Sequence, residues 1–231
     1  MRKENAFMER TEQITKVCQA VVELGKVISQ RQLVPGSWGN ISAKIDKATY
    51  AITPSGRPYE TMSAADIAII NNKGEKLSGK YVPSSETPLH VAIYQSFPQA
   101  GAILHTHSIY ASTLAVLHQD LPPIIEDLAQ VIGGAVPCAQ YALPGTEQLA
   151  QNVVAAMGSG PAALMANHGL ICWGRDLKEA YLTSELIEKA ARLYCQAGAL
   201  GEVKVLSPED VKIMHKFYLE HYSLRQRGQE K

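Results

Sequence analysis

Apolar residues recur at intervals of three and four between positions 12 and 29, at Ile14, Val17, Cys18, Val21, Val22, Leu24 and Val27. That spacing gathers them on one face of a helix. The period then shortens. After a tight turn at Gly36, Gly39 and Asn40, positions 41–45 alternate in the manner of a strand, and 50–53 read as the returning strand of a hairpin. A capped turn is expected at 63–66, a strand at 67–70 and a turn at 71–74. Thr87 followed by Pro88 marks a helix start, with Thr87 as N-cap, and the helix runs through Val91, Ala92 and Tyr94 to Phe97. Ala102, Ile103 and Leu104 form a short buried strand, followed by an apolar helix over 108–116. Positions 121–127 form an irregular link that carries Glu126 and Asp127. A strand at 136–141 precedes a helix that starts at Gly145-Thr146 and passes through Leu149, Val153 and Met157. The apolar run 162–166 is another buried strand, and 170–173 continues beyond a break. Asp176 caps a long helix carrying Leu177, Ala180, Tyr181, Ser184, Ile187, Ala191 and Tyr194 on one face, with Glu179 placed to complete a capping box. Ser207-Pro208 opens a last helix to about 222, and the polar segment 225–231 reads as a frayed tail. Helices thus interleave with short strands, several joined by hairpin-type turns. The class is α/β without a regular βαβ alternation.

Length and charge narrow this further. At 231 residues the chain is expected to form one domain with a substantial core. Its 22 basic and 22 acidic residues cancel, so net charge gives no support to a nucleic-acid partner. The four cysteines, Cys18, Cys138, Cys172 and Cys195, are scattered and form no C-x-x-C pair. They read as buried thiols of a reducing cytoplasm. The first ten residues contain acids and no apolar core, unlike a signal peptide. No run approaches the roughly 20 apolar residues of a membrane-spanning helix. A cytoplasmic protein with no membrane association is expected. Walker and G-x-G-x-x-G motifs are absent.

The candidate chemistry lies where strands end. His105 and His107 are two positions apart at the end of an extended segment, so both imidazoles face one side. Such a pair can begin a site for zinc or a similar ion, or can be two ordinary half-buried histidines. His168 follows another apolar strand, with Gly169 beside it to relieve crowding. Glu86 stands just ahead of the helix that begins near Thr87; it is either a compensation for the helix dipole or a further, displaceable ligand. The glycine-bearing turns at 36–40 and 53–57, and Ser84-Ser85 before that helix, can form an anion-binding concavity or can be plain turns.

Taken together, Gly39-Asn40-Ile41-Ser42, Ile52-Thr53-Pro54-Ser55-Gly56, Pro83-Ser84-Ser85-Glu86 with His90, His105-Thr106-His107 and Asn167-His168-Gly169 resemble the class II aldolase/adducin family, in order and in spacing. The likeness extends over about 12–225. It implies a three-layer α/β/α domain around a mainly antiparallel sheet, and a homotetramer with active sites at its interfaces. It implies zinc, or Mn²⁺ or Co²⁺, on Glu86, His105, His107 and His168. The phosphate of a sugar phosphate is then held by Gly39, Asn40, Ser55, Gly56, Ser84 and Ser85. The implied reaction is cleavage of a ketose 1-phosphate, either L-fuculose 1-phosphate or a 5-deoxy- or 5-methylthio-pentulose 1-phosphate, to dihydroxyacetone phosphate and an aldehyde. Glu86 carries the proton, and His90 orients Glu86 or packs. Glu126 stands where the fuculose-phosphate enzymes of the family place a catalytic tyrosine, and Tyr222 matches a family tyrosine that enters the neighbouring subunit's site. The dehydratases acting on methylthioribulose 1-phosphate share a glutamate at the Glu126 position. A dehydratase or decarboxylase is therefore the second enzymatic expectation, and an adducin-like binding module the non-enzymatic one.

Overall fold

The fold is taken from a computed structural model, which describes residues 2–226 and 228, with side chains from Met8 to Arg225. The expected frayed tail lies mostly outside these residues.

One mixed sheet organises the chain. Its strands are β1 (Asn40–Lys44), β2 (Thr49–Ile52), β3 (Ala68–Asn71), β4 (Lys76–Ser78), β5 (Ala102–Thr106), β6 (Cys138–Ala139), β7 (Ala162–Met165) and β8 (Gly169–Gly174). They lie in the order β4-β3-β2-β1-β5-β8-β7-β6. Every pairing is antiparallel except β6 with β7, so the expected sheet is confirmed as mainly antiparallel.

The helices are α1 (Arg2–Gln30), α2 (Thr87–Ser96), α3 (Ile109–Val116), α4 (Glu126–Ile132), α5 (Glu147–Met157), α6 (Leu177–Leu200), α7 (Pro208–Phe217) and α8 (Ser223–Gln226). They cover both faces of the sheet. On one face Ile41, Leu104, Leu170 and Cys172 pack with Val21 and Ile28 of α1, Leu114 of α3, Leu128 of α4 and Ile187 of α6. On the other, Ile52, Ile70, Ile103 and Ile171 pack with Leu89 and Ile93 of α2 and Leu149 and Val153 of α5. Alternation along each strand explains the division, since neighbours such as Ile103 and Leu104 point to opposite faces. Both are fully buried, and each contributes about 1.5–3 kcal/mol by burial. The result is the three-layer α/β/α arrangement. Among the described residues no helix is long and apolar enough to cross a membrane, and the four cysteines are free thiols.

Several local expectations change. The N-cap of α2 is Glu86, and Thr87 is its first helical residue. Thr87 donates both its N–H and its hydroxyl to the Ser84 carbonyl, which pulls the chain into a turn one residue early. The acids of the supposed link 121–127 belong to α4, whose first turn holds Glu126 and Asp127; the prolines at 122 and 123 hide this helix in a single-sequence reading. Asp176 caps α6 by accepting from the Glu179 N–H, but the Glu179 carboxylate binds the Arg175 N–H and guanidinium instead of closing a capping box. The final helix is interrupted, with α7 ending at Phe217 and a π-helical turn spanning Tyr218–Tyr222.

Candidate metal centre

Antiparallel pairing of β1 with β5 sets Asn40 directly opposite His105. The loop leading into β1 needs Gly39, whose φ is +76°; a Cβ there would lie 2.6 Å from the His105 carbonyl oxygen. Just past β5, His107 is pinned by its N–H to the Leu33 carbonyl, 3.1 Å. His168 comes from the turn between β7 and β8. Asn167 in that turn adopts φ +55° and is anchored by its N–H to the Ala115 carbonyl and by its side chain to His118 Nε2. Gly169 is required by packing. A Cβ there would meet the Thr106 carbonyl oxygen at 2.4 Å and come within 3.4 Å of the His105 ring.

The ligand atoms of His105, His107 and His168 all lie within 4.8 Å of one another. Glu86 reaches the same point from the start of α2, with Oε2 3.2 Å from His105 Nε2 and Oε1 3.4 Å from His168 Nε2. His105 donates its Nδ1 hydrogen to the Leu170 carbonyl, 2.9 Å. That bond sets the tautomer and leaves the Nε2 lone pair facing the cluster.

Electrostatics favour neutral His107 and His168 beside an ionised carboxylate. Burial, aided by the neighbouring His105, pushes His107 down to about 3 and His168 down to about 4. For Glu86, burial acts to raise the pKa, but His105, His168 and the Asn40 amide outweigh it and hold the carboxyl below its usual range. Neutral imidazoles and a carboxylate are the protonation states a divalent cation needs of its ligands. One further observation fits an ion here. Glu86 Oε1 is buried with no hydrogen-bond partner, and such an atom calls for an explanation such as an ion or water.

These groups line a cavity of ≈ 560 Å³. All six phosphate candidates, Gly39, Asn40, Ser55, Gly56, Ser84 and Ser85, line it too. The two serine-bearing turns are fastened side by side, by Ser84 N–H to the Thr53 carbonyl and Ser55 N–H to the Val82 carbonyl. Neither Glu126 nor Tyr222 lines this cavity; they lie at the start of α4 and at the end of the π-helical turn. The sequence reading also passed over Trp38. Its indole is 65% exposed at the cavity, 5.7 Å between centroids from the His107 ring. A large aromatic inside a turn of small residues is the signal that could have found it.

The depressed histidines carry a consequence for stability. Between about pH 6.5 and 4 the unfolded chain protonates these imidazoles while the folded chain does not, so the unfolded state binds more protons and stability falls with pH. His90, fully buried and pushed down to about 3, contributes at most about 1.4 kcal/mol per pH unit. The lowered Glu86 acts with the same sign at still lower pH. The Tm of metal-free protein should therefore drop steadily from pH 7 to pH 5, and a flat profile would contradict the lowered His90, His107 and His168.

Residues 19–195 match the family described as the Class II Aldolase and Adducin N-terminal domain. The chain is 38% identical over 198 residues to a protein of Bacillus thuringiensis serovar kurstaki named 5-deoxy-D-ribulose 1-phosphate aldolase, covering 85% of this chain and 92% of that one. It is 34% identical over 223 residues to the L-fuculose phosphate aldolase of Escherichia coli strain K12, covering 94% of this chain and 99% of the relative. Among solved structures, an L-fuculose 1-phosphate aldolase matches with a TM-score of 0.85 at 35% identity, over 88% of this chain and 96% of the other. The family match takes in the strands behind His105, His107 and His168 and the turn that carries Glu86, and the chain belongs to the class II aldolase and adducin family.

Proposed function

We propose that the protein is a zinc-dependent ketose-1-phosphate aldolase. It cleaves L-fuculose 1-phosphate, or a 5-deoxy- or 5-methylthio-pentulose 1-phosphate, to dihydroxyacetone phosphate and an aldehyde. The observation that carries this reading is the ionised, partly unpartnered Glu86 facing three imidazoles in one cavity with two small-residue turns. The names of the Bacillus and Escherichia coli relatives support the substrate class.

His105, His107 and His168, with Glu86, hold the ion. A divalent cation bound there supplies Lewis-acid polarisation of the substrate's carbonyl, worth several kcal/mol. Ser55, Ser84 and Ser85, with the turns at Gly39-Asn40 and Gly56, hold the phosphate and so place the bond to be broken. When that carbon–carbon bond breaks, its electron pair stays on the carbon next to the carbonyl of the phosphate-bearing fragment. The hydroxyl on the other fragment loses its proton and becomes the aldehyde. Glu86 exchanges the proton at the carbon that keeps the electron pair, from a position within the cavity. Glu126 and Tyr222 stand outside the cavity of their own chain, which fits service to a neighbouring subunit's cavity in a homotetramer, at the aldehyde end. The chain acts as one domain, and its free thiols fit a reducing cytoplasm.

Glu126 keeps a dehydratase in view. Incubation with a panel of ketose 1-phosphates should release dihydroxyacetone phosphate; a dehydrated ketone retaining every substrate carbon would overturn the aldolase reading. Metal analysis of protein purified in a non-chelating buffer should give one divalent ion per chain. Metal-free protein would sink both enzymatic readings and leave the adducin-like binding module. The same measurement separates Zn²⁺ from Mn²⁺ and Co²⁺.

A further inference from the structure

We infer that His90 is a positioning residue: acting through Asn40, it fixes the orientation of the Glu86 carboxylate in the metal centre. The inference rests on the metal-binding part of the function proposed above. Behind the cavity lies a continuous line of buried polar contacts. Tyr94 Oη lies 2.9 Å from Ser42 Oγ, which lies 2.6 Å from His90 Nδ1. His90 Nε2 lies 2.5 Å from Asn40 Oδ1, and Asn40 Nδ2 lies 2.8 Å from Glu86 Oε2. All five side chains are buried, and His90 is fully so.

The direction of every bond follows from the Asn40 amide, whose Nδ2 faces Glu86 Oε2 and can only donate. The Asn40 oxygen then faces His90, which must donate from Nε2. A neutral imidazole with its hydrogen on Nε2 accepts at Nδ1, so the Ser42 hydroxyl donates there and accepts in turn from Tyr94. Each donor therefore points toward Glu86. A line of hydrogen bonds with one sense polarises cooperatively in a low-dielectric interior. It also locks the Asn40 amide, because a flipped amide would turn an oxygen onto the carboxylate and an NH₂ onto an N–H. This commits the Asn40 side chain inward. What Asn40 offers a phosphate comes from its place in the turn and not from the amide atoms bonded to Glu86 and His90.

Two substitutions divide the line at His90. His90→Gln keeps a nitrogen donor toward Asn40 and loses the acceptor for Ser42. His90→Asn keeps a group near Ser42 and loses the donor to Asn40. Each breaks one buried contact, so a purely structural role would move their melting temperatures together and leave the metal centre alone. With a chelating dye as competitor, His90→Asn should bind Zn²⁺ about 10-fold more weakly than the natural chain. His90→Gln should stay within about 3-fold of it. In turnover, His90→Asn should lose kcat with KM little changed, and His90→Gln should recover most of it. Equal zinc affinities for the two variants would overturn the inference even if the natural chain binds zinc and cleaves ketose 1-phosphates. In the metal-free natural chain, ¹⁵N NMR of the histidines should show His90 protonated at Nε2; protonation at Nδ1 would overturn the inference whatever the metal result. A natural chain that binds no zinc at all would instead sink the proposed function, with the NMR result still deciding the direction of the line.

Discussion

Glu86→Gln is expected to lower kcat for ketose-1-phosphate cleavage by about 10²–10⁴-fold, the range for loss of a positioned proton-transfer group. In barrier terms that is about 2.7–5.5 kcal/mol. The substitution is nearly isosteric, and the reason for so large an effect is chemical. Glu86 is buried, yet His105, His168 and Asn40 keep it ionised. One of its oxygens is committed to Asn40, and the other has no hydrogen-bond partner. A glutamine can still accept from Asn40 but cannot take up a proton. The three imidazoles remain, so the variant should retain part of its metal. Release of dihydroxyacetone phosphate and metal content should be followed on the same preparation. Turnover within twofold of the natural chain would remove Glu86 from the proton exchange.

His105→Ala and His168→Ala should both weaken metal binding by about 100-fold or more, since each removes a ligand outright and the loss of a mere supporting contact to a ligand typically costs 10–100-fold. Their metal-free forms should differ. His105 is 1% exposed and donates to the Leu170 carbonyl in the adjoining strand. Its loss opens a cavity in the sheet and strips a buried acceptor of its donor, a cost of about 1–3 kcal/mol for the unpaired group alone. His168 sits in a turn, and its Nδ1 bonds to nothing. Removing it should leave metal-free stability nearly unchanged. Chemical denaturation of the two apo variants checks this, and equal losses would mean that the His105–Leu170 bond contributes nothing to the fold.

Much of this centre was legible in order along the chain because its residues follow strong local signals. His105 and His107 end an apolar run, and a period of two puts both on one face in any strand. Glu86 precedes a Thr-Pro pair at the head of an apolar, helically spaced run, a helix-start signal, although the cap itself fell one residue earlier. The helix α4 was hidden behind Pro122 and Pro123, so Glu126 read as a loop residue when it begins a helical turn. The interruption at Tyr218–Tyr222 left no trace in the apolar spacing, because a π turn adds a residue without changing composition. Trp38 stands out among the small residues of its turn, but only the fold places it at the cavity.

The pairing of β1 with β5 lies beyond any local pattern. Residues 40 and 105 are brought opposite each other by strand register, a choice made by hydrophobic faces and turn geometry across 65 positions. That register places the Asn40 amide between His90 and Glu86. The sequence by itself determined which residue types could bind an ion and roughly where each sits on its element, since helix and strand periods are local properties. Only the tertiary structure decided that three imidazoles and one carboxylate meet in the same cavity as two serine-bearing turns. It also decided that His107 and His168 are neutral, because burial and neighbouring charge are set by packing and not by spacing.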